Sequence, residues 1–98
     1  MARRRKAPYL AVFTASAPKG AAGARRLEGL RQALLPEAGR GLPGASVAVR
    51  ARNGGRTVEV RIEADTLRTL RAASNSYLRW SALALEVADR TGAQREEE

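Results

Sequence analysis

The chain contains no cysteine and no histidine among its 98 residues. Without cysteine it can form neither a disulfide nor a thiolate zinc site, and it has no thiol nucleophile. Without histidine it also lacks the commonest general base. Glu59 and Glu63 share one strand face, but at strand spacing they are about 13 Å apart, too far for a catalytic carboxylate pair. We therefore expect no enzymatic activity, no metal and no cofactor.

Long hydrophobic runs are also missing. No window approaches the roughly 20 apolar residues of a membrane-spanning helix. The apolar segment Tyr9–Phe13 behind the basic start is too short for the core of a signal peptide. These features predict a cytoplasmic protein that is not associated with a membrane. Folding of so short a chain hides only roughly 60–65% of its unfolded surface, so we expect a second copy or a partner to supply further burial.

Arginine is what the chain has in excess. The formal net charge is +8, and sixteen of the eighteen basic residues are arginine, which favours bidentate contacts with phosphate or carboxylate. This balance indicates a nucleic acid or nucleoprotein neighbour, although genome composition or heat adaptation also produces it. Residues 1–7 are predicted to be a disordered basic arm. Its candidate RNA-binding residues are Arg3, Arg4, Arg5 and Lys6, with a solvated tail as the alternative.

Hydrophobic patterning predicts a strand and a helix in the first half of the chain. Tyr9–Ala15 is a short apolar run rich in β-forming residues and is typical of a strand. A glycine-containing loop separates it from three leucines whose spacing by three and four residues places them on one helical face. We expect Pro36 to end this helix, because its ring does not fit an interior turn. The three leucines are Leu27, Leu30 and Leu34.

A β-hairpin is the clearest pattern in the second half. Val47–Ala51 and Val58–Ile62 each alternate apolar and polar residues, as half-buried strands do. Asn53–Gly55 lies between them and supplies the positive φ angles of a tight turn. The polar positions hold arginines on one strand and glutamates on the other, which favours pairing across the strands.

A long helix is predicted from Thr66 to about Thr91, capped by Asp65 and stopped by Gly92. It would be about 39 Å long, and residues 93–98 would follow it as a flexible acidic tail. Two apolar stripes run along different sides of this helix. The stripe expected to pack on the sheet consists of Leu67, Leu70, Ser74, Leu78, Leu85 and Ala88. The second stripe consists of Ala73, Tyr77, Trp80, Ala84 and Val87.

The second stripe must be covered by another surface, because a helix that packs on a three-stranded sheet buries only one apolar stripe against it. The first helix, a second copy or a partner protein could cover it. Trp80 is the kind of aromatic anchor found at interface centres, although packing of both aromatic rings within the domain is an alternative. The predicted fold is a single α+β domain over residues 8–92. Its order is β-α-β-β-α, with a three-stranded antiparallel sheet, two helices on one face, and dimerisation.

Three segments resemble the Pcc family of small KEOPS subunits: Ala33–Glu37, Val58–Glu63 and Asp65–Trp80. The last has a leucine–arginine–alanine motif followed by asparagine–serine–aromatic–leucine, and the resemblance spans roughly residues 8–92. It implies a non-catalytic subunit whose dimers join sheets and whose helices dock the ATPase-like catalytic subunit of KEOPS. That complex completes the threonylcarbamoyladenosine modification of tRNA. The loop Pro18–Gly23 departs from the acidic residues that family members often carry there.

The resemblance therefore implies a homodimeric scaffold. The charge of the basic arm adds tRNA as a candidate partner, which the protein would contact indirectly or through that arm. The residues expected to dock the catalytic subunit are Leu27, Leu30, Leu34, Tyr77, Trp80, Ala84 and Val87. A KH-like RNA-binding module is the main alternative, because it shares the element order and Gly20–Gly23 has the form of a GXXG loop. That loop lies between two helices in KH domains, whereas here it follows a strand. A DNA-binding dimer ranks last, because no helix shows a dense basic face.

Overall fold

The structure, a computed structural model, describes the backbone of residues 7–97 and the side chains of residues 7–90. The strands form one antiparallel sheet in the order β1-β3-β2, and this confirms the predicted α+β class with a three-stranded sheet and two helices. Residues 1–6 of the predicted basic arm lie outside the described residues. The elements are β1 (Tyr9–Ser16), α1 (Ala21–Arg40), β2 (Ala45–Arg52), β3 (Thr57–Ala64) and α2 (Leu67–Glu97).

The central strand β3 shows why the sheet has one dry and one wet face. Val58, Val60 and Ile62 point to the helices and are at most 2% exposed. Side chains alternate across a strand, so the residues between them point to the opposite face, which the helices leave uncovered. There Glu59 pairs with Arg52 of β2, with 3.2 Å between Nε and Oε1. This is the cross-strand pairing that the alternating charges predicted.

The three leucines of α1 lie in the core, as their spacing predicted, against the apolar face of β3. Leu27, Leu30 and Leu34 are all at most 1% exposed. Burying a leucine side chain stabilises a fold by about 1.5–3 kcal/mol, so this row is a main attachment of α1. Ala73 and Tyr77 of α2 complete the cluster.

The turn between β2 and β3 matches the prediction in conformation. Asn53, Gly54 and Gly55 have φ angles of 55°, 65° and 87°, in the left-handed region that asparagine and glycine adopt most readily. The three residues form a short 3₁₀ turn, closed by the Arg56 N–H donating to the Asn53 carbonyl at 3.3 Å.

The predicted end of α1 at Pro36 is wrong, because the helix continues through the proline to Arg40. Proline removes one backbone hydrogen bond, to the carbonyl four residues earlier. Here the proline is exposed, while Leu34 is buried and Ala38 half-buried on either side of it. The packing of Leu34 and Ala38 against the rest of the domain outweighs the backbone hydrogen bond lost at Pro36. The helix ends instead at Gly41, whose φ is 70° and whose N–H donates to the Ala38 carbonyl.

Both predicted ends of α2 also differ from the structure. Thr66, not Asp65, caps the helix, because the Thr69 N–H donates to the Thr66 hydroxyl at 3.0 Å. The Asp65 N–H instead donates to the Gly44 carbonyl and extends the β2–β3 ladder. At the other end the backbone stays helical through Gly92 to Glu97. A glycine inside a helix costs about 1 kcal/mol, which is too little to stop a helix by itself.

The assignment of the two α2 stripes is partly wrong. Ala73 and Tyr77, expected to face away from the sheet, are buried in the core. Leu67 and Leu78, expected to pack on the sheet, are each 50% exposed. The reason is that α2 packs on the sheet and on α1 at once, so its buried side lies between the two.

Candidate docking groove between the helices

The outer surfaces of α1 and α2 enclose an open groove of about 440 Å³. Apart from Glu37, every residue that lines it is apolar or glycine. From α1 come Gly29, Ala33 and Glu37, and from α2 come Trp80, Leu83, Ala84, Val87 and Ala88. We call this surface the docking groove.

Helical spacing places these residues on facing sides. Gly29, Ala33 and Glu37 follow one another at intervals of four, so they form one row along α1. Trp80 and Ala84 have the same relation on α2. The two smallest residues of the α1 row create the open space: a Cβ atom added at Gly29 would meet no other atom within 4 Å. The groove is thus a consequence of small side chains on α1.

A buried neighbour positions the indole of Trp80. Its ring meets the Tyr77 ring edge to face, with centroids 5.1 Å apart and an angle of 68° between the planes. Tyr77 is buried and Trp80 is half-buried. Leu83, which also lines the groove, is 54% exposed. The groove therefore presents apolar side chains to solvent, and the buried Tyr77 ring holds the Trp80 indole in position. A surface ordered before binding loses less entropy when a partner docks.

The phenol of Tyr77 carries an unsatisfied polar group beneath the groove. Its hydroxyl is buried and has no hydrogen-bond partner among the described residues. Burial raises the pKa of Tyr77, and the nearby negative charge of Glu37 raises it further. The residue is therefore held in its neutral form, as a ring that packs between the helices.

A charged pair lies at one end of the apolar groove. There the Arg26 guanidinium joins α1 to Asp89 of α2, with 2.6 Å between Nε and Oδ1. On the side of α1 that is turned away from the groove, Glu28 accepts hydrogen bonds from Arg31 and Gln32, both at 2.7 Å at their shortest. These two bonds, the Arg31 bond foremost, lower the pKa of Glu28 to about 2.

Three of the seven predicted docking residues line the groove: Trp80, Ala84 and Val87. The other four lie beneath it in the core and do not reach the surface of the chain. Contact between any of the seven and a partner stays a prediction. Sequence reasoning missed the other five lining residues, although the repeated interval of four along α1 could have indicated three of them. The five are Gly29, Ala33, Glu37, Leu83 and Ala88. The four buried residues are Leu27, Leu30, Leu34 and Tyr77.

The glycines of the predicted GXXG-like loop have a structural role. Gly20 immediately precedes α1, and Gly23 lies in its first turn. A Cβ atom at Gly23 would come within 2.8 Å of the Pro18 carbonyl oxygen, so the close packing of this loop on the helix requires glycine. The segment connects a strand to a helix, not one helix to another as in KH domains.

The described part of the chain lacks two kinds of feature. Within it, no group of three or more acidic residues is placed to hold a metal ion. Neither of its helices combines the length and apolar character needed to cross a membrane.

Comparison with known proteins identifies a family. The family model described as "Transcription factor Pcc1" matches residues 24–89. The matched segment begins in the first turn of α1 and ends near the Arg26–Asp89 ion pair, so it contains β2, β3 and every residue of the docking groove. No curated protein matches the chain.

Proposed function

This chain belongs to the Pcc1 family of KEOPS subunits, and we propose that it is the dimeric, non-catalytic scaffold of such a complex. In this role it docks the ATPase-like catalytic subunit and supports the threonylcarbamoyladenosine modification of tRNA. The proposal rests on one observation above all. The matched segment builds a preformed apolar groove between two helices.

The shape of the groove favours a helix as its occupant. Gly29 and Ala33 let the backbone of an incoming helix approach α1 closely, while Trp80 and Leu83 offer large apolar surfaces on the other side. Amphipathic helices bind such grooves through apolar residues at intervals of three and four. The expected partner surface is therefore a helix with small and aliphatic residues in that pattern.

The charged pair at the end of the groove contributes orientation more than affinity. The Arg26–Asp89 pair is largely exposed, and exposed pairs contribute at most about 1 kcal/mol. Such charges mainly influence the rate and direction of docking. The apolar centre, with Trp80 as its largest side chain, would then provide most of the binding energy.

A pair of matched substitutions tests the groove. Ala33 and Ala72 are both exposed alanines inside helices, but only Ala33 lines the groove. Glutamine forms helices well, so Ala33→Gln and Ala72→Gln should both fold. Binding of each variant to the purified catalytic subunit is measured by size exclusion with light scattering and by titration calorimetry.

We expect the unchanged chain and Ala72→Gln to form the same stable complex. Ala33→Gln should bind at least tenfold more weakly, because its amide fills the groove and would lose its water without gaining a partner. Equal binding by all three proteins would show that the groove is not the docking surface. An unchanged chain that ignores the subunit and binds RNA tightly on its own would favour the KH-like alternative.

A further inference from the structure

Within the described chain, Glu37 is the one charged residue that lines the docking groove. Its side chain is 34% exposed, and its ion pair is with Arg40, at 3.5 Å between Oε2 and Nη1. Arg40 lies three residues further along α1 and is 74% exposed, so it meets the carboxylate from the solvent side. The carboxylate therefore depends largely on water for its remaining hydrogen bonds.

The position of Glu37 in α1 does not favour stability. It lies in the last turn of the helix, which ends at Arg40, and the C-terminal end of a helix carries a partial negative charge. A cation is favourable there and a carboxylate is not, so Arg40 fits this rule and Glu37 departs from it. A residue that departs from a local stability rule on a surface open for docking is typical of a functional role.

The two ends of the groove differ in charge. At one end Arg26 and Asp89 neutralise each other across the helices, with 2.6 Å between Nε and Oδ1. Glu37 lies eleven residues after Arg26, or about 16 Å along α1. Its charge acts on Tyr77, which precedes Asp89 in α2, so the helices run antiparallel and Glu37 marks the opposite end. The Glu37 end therefore keeps a charge that a partner can neutralise.

Docking would change the surroundings of this carboxylate. A helix in the groove would cover Glu37 together with Ala33 and Trp80, and would displace water from the carboxylate. A carboxylate that loses water needs a cation or hydrogen-bond donors in exchange, because a buried unpaired charge is strongly unfavourable. The occupant must therefore bring a donor to this end of the groove. A positively charged side chain makes the strongest such hydrogen bonds.

We propose that Glu37 is the specificity residue of the docking groove and binds a lysine or arginine on the incoming helix. This inference rests on the proposed docking of the catalytic subunit and adds the charge that its helix must carry. The apolar residues of that helix fill the space beside Ala33 and Trp80, and its basic residue lies at the Glu37 end.

The pair between Glu37 and this basic residue also sets the direction of docking. The charges at the opposite end, Arg26 and Asp89, already pair with each other. A helix inserted in reverse would leave its own cation covered without a counter-charge, and it would leave the Glu37 carboxylate covered without a donor. Unpaired charges of this kind are how an interface discriminates against a wrong arrangement.

Glu28 provides a matched control for Glu37. Both are glutamates of α1 that pair with an arginine three residues later, Arg31 and Arg40 respectively. Glu28 lies on the side of α1 that is turned away from the groove. Glutamine keeps the size and helix propensity of glutamate, so Glu37→Gln and Glu28→Gln should both fold, which circular dichroism checks. Binding of each variant to the purified catalytic subunit is measured by titration calorimetry.

We expect Glu28→Gln to bind the catalytic subunit as the unchanged chain does. Glu37→Gln should bind at least about tenfold more weakly, because the cation of the partner is then covered without a counter-charge. Unchanged or tighter binding by Glu37→Gln would overturn the proposal, because it would show that the carboxylate only loses water on docking and gains no partner.

The Ala33→Gln variant separates this inference from the docking groove itself. If Ala33→Gln weakens binding and Glu37→Gln does not, the groove remains the docking surface and the role of Glu37 is refuted. If neither variant weakens binding, the groove and the role of Glu37 are both refuted.

An exchange of charges identifies the cation of the partner. Glu37→Lys places like charges at this end of the groove and should weaken binding by about a hundredfold or more. Each lysine and arginine on the surface helices of the catalytic subunit is then changed to glutamate and tested against Glu37→Lys. We expect one of these changes to restore binding and to weaken binding to the unchanged chain. Failure of every change to restore binding would overturn the proposed pair.

Discussion

Tyr77 and Trp80 are in ring contact, with centroids 5.1 Å apart, yet one belongs to the core and the other to the surface groove. They are three residues apart on α2, which places neighbouring side chains on adjoining parts of the helix surface. Tyr77 points between α2, α1 and the sheet, and its ring supports the indole from below. The core and the docking groove are thus linked through this pair.

The pair predicts two separable effects of truncation. Tyr77→Ala removes a buried aromatic ring and should lower the free energy of unfolding by about 3–5 kcal/mol, measured by urea denaturation. Trp80→Ala removes a half-buried ring and should destabilise less, but should weaken binding to the catalytic subunit by about 2 kcal/mol or more, measured by calorimetry. A folded Trp80→Ala variant with unchanged affinity would contradict the role of the indole as the anchor.

Removing only the Tyr77 hydroxyl should have a different result. The hydroxyl is buried without a hydrogen-bond partner, so the folded chain loses the water bound to this group and gains nothing in exchange. Tyr77→Phe removes this unfavourable contribution and keeps the aromatic ring. We expect the free energy of unfolding to be unchanged or higher by up to about 1 kcal/mol in urea denaturation at neutral pH. A loss of more than about 1 kcal/mol would show that the hydroxyl makes a stabilising hydrogen bond.

The same variant tests the alkaline pH dependence. The folded chain raises the pKa of Tyr77 above its ordinary value of 10.0, so it holds the phenol proton more tightly than the unfolded chain does. This contribution is fully present below pH 10 and is lost as the pH rises through the folded-state pKa. Above pH 10 the natural chain should therefore lose stability more steeply than Tyr77→Phe. Parallel curves would contradict the raised pKa.

Pro36 should lower the stability of α1 relative to the same helix with an alanine at this position. The proline lies inside the helix and is exposed, so Pro36→Ala restores the missing N–H without disturbing the core. We expect the free energy of unfolding to rise by about 1–3 kcal/mol, measured by urea denaturation. Gly39→Ala is the control: it improves helix propensity nearby but restores no hydrogen bond, and should give at most about 1 kcal/mol. An equal gain from both would mean that the missing bond has no cost.

Local patterns were sufficient for the strands and poor for the helix ends. The alternation around Val58–Ile62 and the turn at Asn53–Gly55 predicted the hairpin, because side-chain period and positive φ are properties of a few neighbouring residues. Pro36 and Gly92 misled because each imposes only a local cost. Neighbouring packing outweighs that cost at Pro36. Asp65 was predicted as the helix cap, but Thr66 caps α2 because the Asp65 N–H bonds to the Gly44 carbonyl in the sheet ladder.

The amino-acid sequence by itself determined the order of elements, the leucine face of α1 and the excess of apolar surface on α2. Tertiary structure alone decided which part of that surface became core and which became groove. Helical periodicity gives the angle between Tyr77 and Trp80 but not the direction in which the helix is rotated against its neighbours. That rotation depends on simultaneous contact of α2 with the sheet and with α1, which brings together residues far apart in the chain.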